Sequence, residues 1–243
     1  MSMPDTLTTE QYLQAILRDG EAFAEAAEGT LTAPVTHCPG WTQADLVYHL
    51  GEVHRFWTFI VDRRATSPDD YQEPARPDDE DLLAWYRDGL TRVHEVLAAA
   101  DPATPVWTWS RQNDVAFVQR RMAQETAVHR WDAQLAAGGP SPIDPDLAID
   151  GIDEFLDHFV DPPGDGATGS VHLHAGDAPG EWWVAPGKEG WTIEREHRKG
   201  DAAIRGSASD LLLALWRRVD RSDLDVVGDE AVADRFLGLS DLE

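Results

Sequence analysis

A glutamate and a histidine stand four positions apart near the middle of the chain, as Glu125 and His129. In an α-helix, side chains four residues apart leave the same face one turn apart. A carboxylate and an imidazole placed in this way can bind one divalent metal ion together. His49 lies in a separate helical pattern and could supply a third ligand. Three protein ligands that leave coordination positions open are typical of a catalytic zinc, so the pattern indicates a metalloenzyme.

Asp132 could support such a site. It follows His129 by three positions and Glu125 by seven, so a helix keeps it on the same face. Asp132 could bind the metal, or it could accept a hydrogen bond from the imidazole of His129 or from a bound thiol or water. Met122 falls on the same stripe, which suggests that this face points into a bundle. Carboxylates and an imidazole are costly to bury without a partner, and a metal ion supplies one.

The spacing alone leaves simpler alternatives open. Glu125 and His129 could form a solvated pair beside neighbouring arginines, as is common on exposed helix faces. His49 and His54 are five positions apart and point about 140° away from each other around a helix, so they are not a joint ligand pair. We expect His49 on or beside the buried stripe, where a lone histidine is more often a core residue than a ligand. We expect His54 to be solvated on the polar side.

Two further patterns are weaker. His172 and His174 alternate on a predicted strand and therefore share a face, but the sequence offers no third metal ligand nearby, and we expect an exposed strand face. Cys38 precedes a helix start, where the pKa of a thiol is lowered, but no histidine and asparagine pattern surrounds it, and we expect a packing role. The sequence contains neither a Gly-rich phosphate loop after a strand nor a G-x-S-x-G elbow.

Composition limits the partners and the compartment. The 243 residues carry a formal net charge of -25, which argues against nucleic acid and anionic membrane surfaces as partners. The single cysteine excludes an intramolecular disulfide. The N-terminus lacks the basic and apolar regions of a signal peptide, and no stretch approaches the ~18 apolar residues that span a bilayer. We therefore expect a soluble, cytoplasmic protein.

The elements that must position these residues fall into two groups. Apolar residues recur at helical spacing over about 8–28, 43–64, 79–100 and 115–137. Thr42 offers an N-cap to the second helix, with Asp45 at the third helical position. Gly138-Gly139-Pro140 ends the fourth helix. Four amphipathic helices in about 140 residues predict a four-helix bundle.

The pattern changes after Pro145. Short alternating segments predict five strands, at 170–174, 181–185, 191–196, 202–205 and 224–227. Helices are predicted at 147–160, 207–217 and 229–237. We therefore predict an α plus α+β protein with two domains. Residues 1–140 form the metal-binding bundle, residues 146–243 form a smaller α+β domain, and 138–145 is the linker.

Several segments carry a family resemblance. Cys38–Thr42 (CPGWT), Asp45–Leu50 (DLVYHL) and Glu125–Asp132 (ETAVHRWD) together resemble the mycothiol-dependent maleylpyruvate isomerase family, which belongs to the DinB-like metal-binding four-helix bundles. Arg205–Trp216, followed by Val226–Asp229, resembles the family's C-terminal domain, which is related to sterol-carrier-type α+β folds. The likeness covers nearly the whole chain in the expected order.

The resemblance implies a zinc ion or similar divalent metal bound by His49, Glu125 and His129, with water or a substrate thiol completing the coordination shell. Mycothiol would be the cosubstrate. The family usually has Trp-Gly-Arg where this chain has Trp216-Arg217-Arg218. Arg218 is therefore the matching basic residue, which could help to hold an anionic ligand.

The leading hypothesis is an isomerase or transferase that activates a low-molecular-weight thiol. The metal would lower the pKa of the thiol of mycothiol, and the thiolate would add to an electrophilic small molecule. An isomerase would rotate a former cis double bond and eliminate the trans product, whereas a transferase would keep the thioether. Asp132 would orient His129 or handle the proton. A non-catalytic metal- or ligand-binding protein and a thiol-independent metal hydrolase are the alternatives. We expect a monomer, because the two predicted domains can cover each other.

Overall fold

A computed structural model describes residues 7–163, 167–188 and 190–239 of the chain. The chain divides into two compact units, one comprising Leu7–Ser141 and the other beginning at Pro142. The first unit is helical, and the second combines helices with a five-stranded sheet. The predicted fold class, a helical N-terminal part followed by a smaller α+β part, is confirmed. No helix in the described ranges is long and apolar enough to cross a membrane.

Four long helices build the first unit. They are α1 (Thr9–Ala27), α2 (Gln43–Arg63), α3 (Asp79–Ala99) and α4 (Val115–Ala136). Helix α2 begins with the capping box expected from the sequence, since the Thr42 side chain accepts from the Asp45 backbone and the Asp45 side chain accepts from the Thr42 backbone. Helix α1 packs against α3 and α4, and α2 packs against the same two helices. The bundle thereby brings α2 and α4, which carry the predicted ligands, into contact.

Helix α4 is buried around most of its circumference. Its buried side chains include many polar ones: Gln119, Arg121, Gln124, Thr126, His129, Arg130 and Asp132. Such groups are stable inside a protein only when they are paired or bind a ligand. The buried polar side chains of α4 therefore require partners within the protein or a bound ligand.

The described residues of the second unit form three α-helices and five strands. They are α5 (Pro145–His158), β1 (Val171–Ala175), β2 (Glu181–Pro186), β3 (Trp191–Glu194), β4 (Ala202–Gly206), α6 (Ala208–Leu215), β5 (Asp225–Gly228) and α7 (Glu230–Leu237). The strand order is β3-β2-β1-β4-β5. Strands β1 and β4 are parallel, and the other neighbouring pairs are antiparallel.

The sheet has two different faces. Val171, Leu173 and Trp182 lie on one face and are almost completely buried. Helix α5 lies on this side, because the indole Nε1 of Trp182 donates to Asp153 of α5 at 2.7 Å. Because side chains alternate along a strand, His172 points to the other face.

Some element bounds differ from the prediction by one or two residues. Helix α5 begins at Pro145 rather than 147, because Asp144 caps it and proline is well tolerated at the first helical position. Strand β3 ends at Glu194 rather than 196, because the backbone N–H of Glu196 turns back to donate to the carbonyl of Glu194. Both differences arise from local turn chemistry at the element ends.

Candidate metal centre

His49, Glu125 and His129 converge in the first unit. The Nε2 atoms of His49 and His129 lie 3.5 and 3.3 Å from the same carboxylate oxygen, Oε1 of Glu125. One potential ligand atom from each of the three residues lies within 4.8 Å of the others. The two imidazole rings meet edge to face, with their centroids 5.2 Å apart. The bundle therefore assembles the three residues that the sequence singled out.

The separations within this triad fit a metal ion better than they fit hydrogen bonds. A tetrahedral zinc ion with bonds of about 2.0–2.1 Å holds its ligand atoms about 3.3 Å apart. An N–H···O hydrogen bond is shorter, with a typical N···O distance of about 2.9 Å. The 3.3 and 3.5 Å distances match the first geometry. Two imidazoles and one carboxylate also form a donor set that suits zinc.

Two further side chains of α4 form hydrogen bonds that orient Glu125 and His129. Arg121 donates from Nη2 to the second oxygen of Glu125, Oε2, at 2.7 Å. The Oδ2 atom of Asp132 lies 3.0 Å from Nδ1 of His129 and can accept a hydrogen bond from it. A neutral His129 that donates through Nδ1 keeps the lone pair of Nε2 directed at the site. Asp132 therefore occupies the supporting position that its spacing from His129 allowed.

Charges around the triad shift the pKa values of Glu125 and His129, its two members on α4. Burial raises the pKa of Glu125, but Arg121, His129 and His49 outweigh burial and hold the pKa well below its usual value. Burial lowers the pKa of His129, but the hydrogen bond to Asp132 and the nearby carboxylate of Glu125 outweigh burial and raise the pKa to about 9. A metal ligand must be a neutral imidazole, so a divalent ion and a proton compete for His129.

The expectation that His54 is solvated is wrong, because His54 is completely buried. It belongs to the stripe that Leu50 and Trp57 continue at helical spacing, and both of these residues are buried as well. The Nε2 of His54 lies 3.1 Å from the hydroxyl of Thr126. Burial lowers the pKa of His54 to about 3, so the ring is neutral at physiological pH. His49 lies beside this stripe with its side chain 33% exposed.

A recess of about 510 Å³ opens beside His49. Its walls are formed by Gly40, Trp41, Asp45, Tyr48, His49, Glu52 and Glu73. The ring centroid of Trp41 lies 5.1 Å from that of His49. The Tyr48 hydroxyl donates to Glu73 at 2.8 Å. The functional positions of Tyr48, Glu52 and Glu73 were not predicted from the sequence, although Glu52 follows His49 at helical spacing.

The recess is acidic. Hydrogen bonds from Thr42 lower the pKa of Asp45 to about 2, and Arg76 contributes in the same direction. Burial raises the pKa of Glu52, and the nearby charge of Glu73 adds to this rise, against a hydrogen bond from Tyr71. Glu52 is therefore a carboxyl group of the recess whose protonated form is favoured by its surroundings.

Arg218 lies in the second unit, just after the end of α6. Its Nη1 donates to the backbone carbonyl of Trp216 at 2.8 Å. The preceding residue, Arg217, has a φ of 59°. This left-handed conformation suits glycine, the residue that the resemblance leads one to expect there. Arg218 thus belongs to the turn that ends α6.

The expectation of an exposed strand face without a third ligand near His172 and His174 is wrong. His172 is buried, and Glu181 and His197 complete a second group of potential ligands with these two histidines. Glu181 lies directly opposite His174, because β1 and β2 pair antiparallel. This proximity depends on strand pairing, so local spacing in the sequence could not reveal it.

Comparisons with known protein families match both units. Residues 13–134 match the family described as Mycothiol maleylpyruvate isomerase N-terminal domain. Residues 146–235 match the family described as MDMPI C-terminal domain. Uncharacterised proteins from two strains of Mycobacterium tuberculosis are 31% identical to the chain over 117 residues, which is 47% of this chain. The aligned part spans 59% of the length of those relatives.

Two crystal structures of one enzyme have the same architecture as this chain. The crystal structure of the mycothiol-dependent maleylpyruvate isomerase superposes with a TM-score of 0.69, over 92% of this chain and 95% of the other, at 12% sequence identity. A histidine-to-alanine mutant of that enzyme superposes with a TM-score of 0.66 at the same coverage and identity. At this identity the similarity establishes the fold.

Proposed function

The chain belongs to the mycothiol maleylpyruvate isomerase family, and from that membership we propose that it is a metal-dependent enzyme that activates a low-molecular-weight thiol for addition to a small electrophile. Mycothiol is the thiol that the family name indicates. The observation that carries the proposal is the spacing of His49, Glu125 and His129, whose donor atoms lie at metal-ligand rather than hydrogen-bond separations. Three ligands leave coordination positions open for a substrate.

His49, Glu125 and His129 would hold the metal, with zinc as the ion that best suits this donor set. A bound zinc ion would lower the pKa of a thiol, so that thiolate is present at neutral pH. Arg121 fixes the orientation of the Glu125 carboxylate. Asp132 fixes the ring of His129. The chain thus provides two anchored donors on α4, Glu125 and His129, and a third donor, His49, on α2.

The thiolate would add to a carbon–carbon double bond conjugated with a carbonyl group. A carbon–sulfur bond forms while the π electrons move to the carbonyl oxygen, and the former cis double bond becomes a single bond that can rotate. Loss of the thiolate restores the double bond in the trans form without net proton transfer. A transferase would instead protonate the adduct and release the thioether. Glu52, whose pKa is raised by burial, is the nearby group suited to supply that proton.

The recess beside His49 favours an electrophile without negative charge. Asp45, Glu52 and Glu73 line it, and Asp45 is ionised at neutral pH because its pKa is about 2. Arg76 pairs with Asp45, so Glu73 leaves the recess with negative charge, which would repel a substrate with two carboxylates such as maleylpyruvate. We therefore propose that the substrates of this chain are neutral or cationic cis-alkenes and related electrophiles. Maleylpyruvate is the prototype substrate of the family.

The test compares a neutral and an anionic substrate of the same shape. Zinc-loaded protein is incubated with dimethyl maleate or with maleate, with and without mycothiol, and trans product or thioether is followed by NMR above the background of thiol alone. We expect turnover of the diester only when thiol is present, and little turnover of the dianion. Glu125→Gln should lose this activity, and Glu95→Gln, an exposed change on α3, should keep it.

Two results would contradict the proposal. Turnover that needs no thiol would indicate a metal hydrolase, in which a metal-bound water acts. Thiol-dependent turnover that survives Glu125→Gln in protein shown to lack metal would place the chemistry away from the triad.

A further inference from the structure

The second unit contains a group of three histidines and one glutamate from separate parts of the sequence. His172 and His174 lie on β1, Glu181 lies on β2, and His197 lies in the loop between β3 and β4. One potential ligand atom from each lies within 4.8 Å of the others. The Nδ1 atoms of His174 and His197 lie 2.6 and 2.9 Å from the same oxygen, Oε1 of Glu181.

His172 supplies an independent observation. Its exposed fraction is 4%, and its Nε2 atom has no hydrogen-bond partner among the residues that the structure describes. The ring lies edge-on to that of His197 at a centroid distance of 5.0 Å and 5.8 Å from that of His174. A buried polar atom without a partner is destabilising. A ligand bound among these rings would satisfy it.

The loop that carries His197 is tied to the sheet by the residues that follow His197. The guanidinium of Arg198 stacks on the ring of Trp183, 3.6 Å from its centroid. Gly200 lies so close to β1 that a Cβ there would be 2.9 Å from the backbone nitrogen of His172. The hydroxyl of Ser170 donates to Asp201 at 2.8 Å. These contacts hold His197 over the face of the sheet that carries His172 and His174.

We propose that His172, His174, Glu181 and His197 form a second metal site, which binds zinc or a similar imidazole-preferring divalent ion. Four protein ligands close the coordination shell, so the site is structural rather than catalytic. Four atoms at tetrahedral corners 4.8 Å apart lie about 2.9 Å from the centre, so bonds of about 2.0 Å need shifts below about 1 Å. The ion would fasten the loop Arg195–Asp201 to β1 and β2.

The test uses full-length protein in which the first site has been removed. Glu125→Gln protein is stripped with a chelator, loaded with excess Zn²⁺, desalted and assayed for zinc by mass spectrometry. We expect about two zinc ions in the wild type and about one in Glu125→Gln, as the two ligand sets require. Adding His174→Gln or His197→Gln should abolish the remaining zinc. Adding His94→Gln, a histidine of α3 outside both groups, should leave it.

A second readout separates metal loss from misfolding. The melting temperature of Glu125→Gln protein should rise on zinc addition, and this rise should vanish in the His197→Gln background. The His197 side chain is 75% exposed, so its replacement leaves the core intact. No zinc in Glu125→Gln protein, or zinc that persists through both histidine changes, would overturn the second site. Neither result would affect the thiol-dependent activity, which depends on the triad in the first unit.

Discussion

The two histidine groups of this protein differ in what holds their members. In the bundle, His49 and His129 stand 3.5 and 3.3 Å from Glu125, and Arg121 and Asp132 hold the ligands from behind. In the sheet unit, His174 and His197 lie at hydrogen-bond distance from Glu181, 2.6 and 2.9 Å away.

The difference indicates two kinds of site. Supporting partners keep the bundle ligands apart, so the triad needs little rearrangement to bind a metal and has positions left for a substrate. In the sheet group Glu181 lies at hydrogen-bond distance from His174 and His197, so a metal ion must first separate these side chains. We therefore expect the bundle to bind zinc more tightly than the sheet unit.

Removing a ligand of the triad should have the largest effect. His129→Ala should weaken zinc binding in the first unit by more than about 100-fold, because even loss of a supporting partner typically costs 10–100-fold. Competition with a chromophoric chelator measures this affinity. His37→Ala, a histidine outside both groups, is the control. An unchanged zinc affinity in His129→Ala would contradict metal binding by His129, and with it the expected difference in zinc affinity between the two groups.

Removing the support behind His129 should have the next largest effect. Asp132→Asn keeps the shape of the side chain but removes the charge that accepts from Nδ1 of His129. We expect zinc affinity in the first unit to fall about 10–100-fold, with no change in the sheet unit. The same chelator competition detects this loss. Equal losses of zinc affinity at both sites would show that Asp132→Asn acts by destabilising the whole protein.

His54 is buried beside the bundle group, and His172 is a buried member of the sheet group. His54 gives the clearer test of how burial changes the pKa of a histidine. Its folded pKa of about 3 lies below the ordinary histidine value of 6.5, so below pH 6.5 the unfolded chain binds a proton that the folded chain excludes. His54 thus contributes stability that is fully present above pH 6.5 and is lost as the pH falls toward 3. The free energy of unfolding should fall by about 2 kcal/mol between pH 7 and pH 5 from this residue.

Urea unfolding at several pH values can isolate this contribution. His54→Gln keeps a polar group for Thr126 but cannot titrate, so the pH dependence of the free energy of unfolding should be shallower than in the wild type. His94→Gln, a partly exposed change on α3, should match the wild type. Equal pH dependence in all three proteins would contradict the assignment of a buried neutral His54.

The smallest effects are expected at helix ends, where both units place an arginine in the left-handed region. Arg64 after α2 has a φ of 48°, and Arg217 after α6 has a φ of 59°. Glycine adopts this conformation without strain, so Arg64→Gly and Arg217→Gly should each be about 1 kcal/mol more stable than the matching alanine variants. Thermal unfolding of the four variants measures this. Alanine variants as stable as the glycine variants would contradict it.

The sequence predicted the fold well where the determinants are local. Helical periodicity located the four bundle helices, and the capping pair of Thr42 and Asp45 located the start of α2. Glu125 and His129 share one helix, so their spacing fixed their relation before any tertiary contact was known. These features depend on residues within one or two turns.

Features that depend on tertiary contacts were missed. His54 was expected in solvent, because its burial depends on how α2 packs in the bundle. The sheet group was missed because Glu181 meets His174 through strand pairing and His197 comes from a loop. The acidic recess needs Glu73, which reaches Tyr48 from 25 residues away in the sequence. Local patterns carry no information about such contacts.

Thiol activation at His49, Glu125 and His129 can be tested by the absorption spectrum of the cobalt-substituted protein during titration with mycothiol. Co²⁺ replaces zinc in imidazole and carboxylate sites, and a thiolate bound to it gives a charge-transfer band in the near ultraviolet. We expect this band in the wild type and in His174→Gln, and we expect it to be absent from Glu125→Gln. Cobalt held by the triad without a band on thiol addition, or a band that survives Glu125→Gln, would contradict thiol activation at His49, Glu125 and His129.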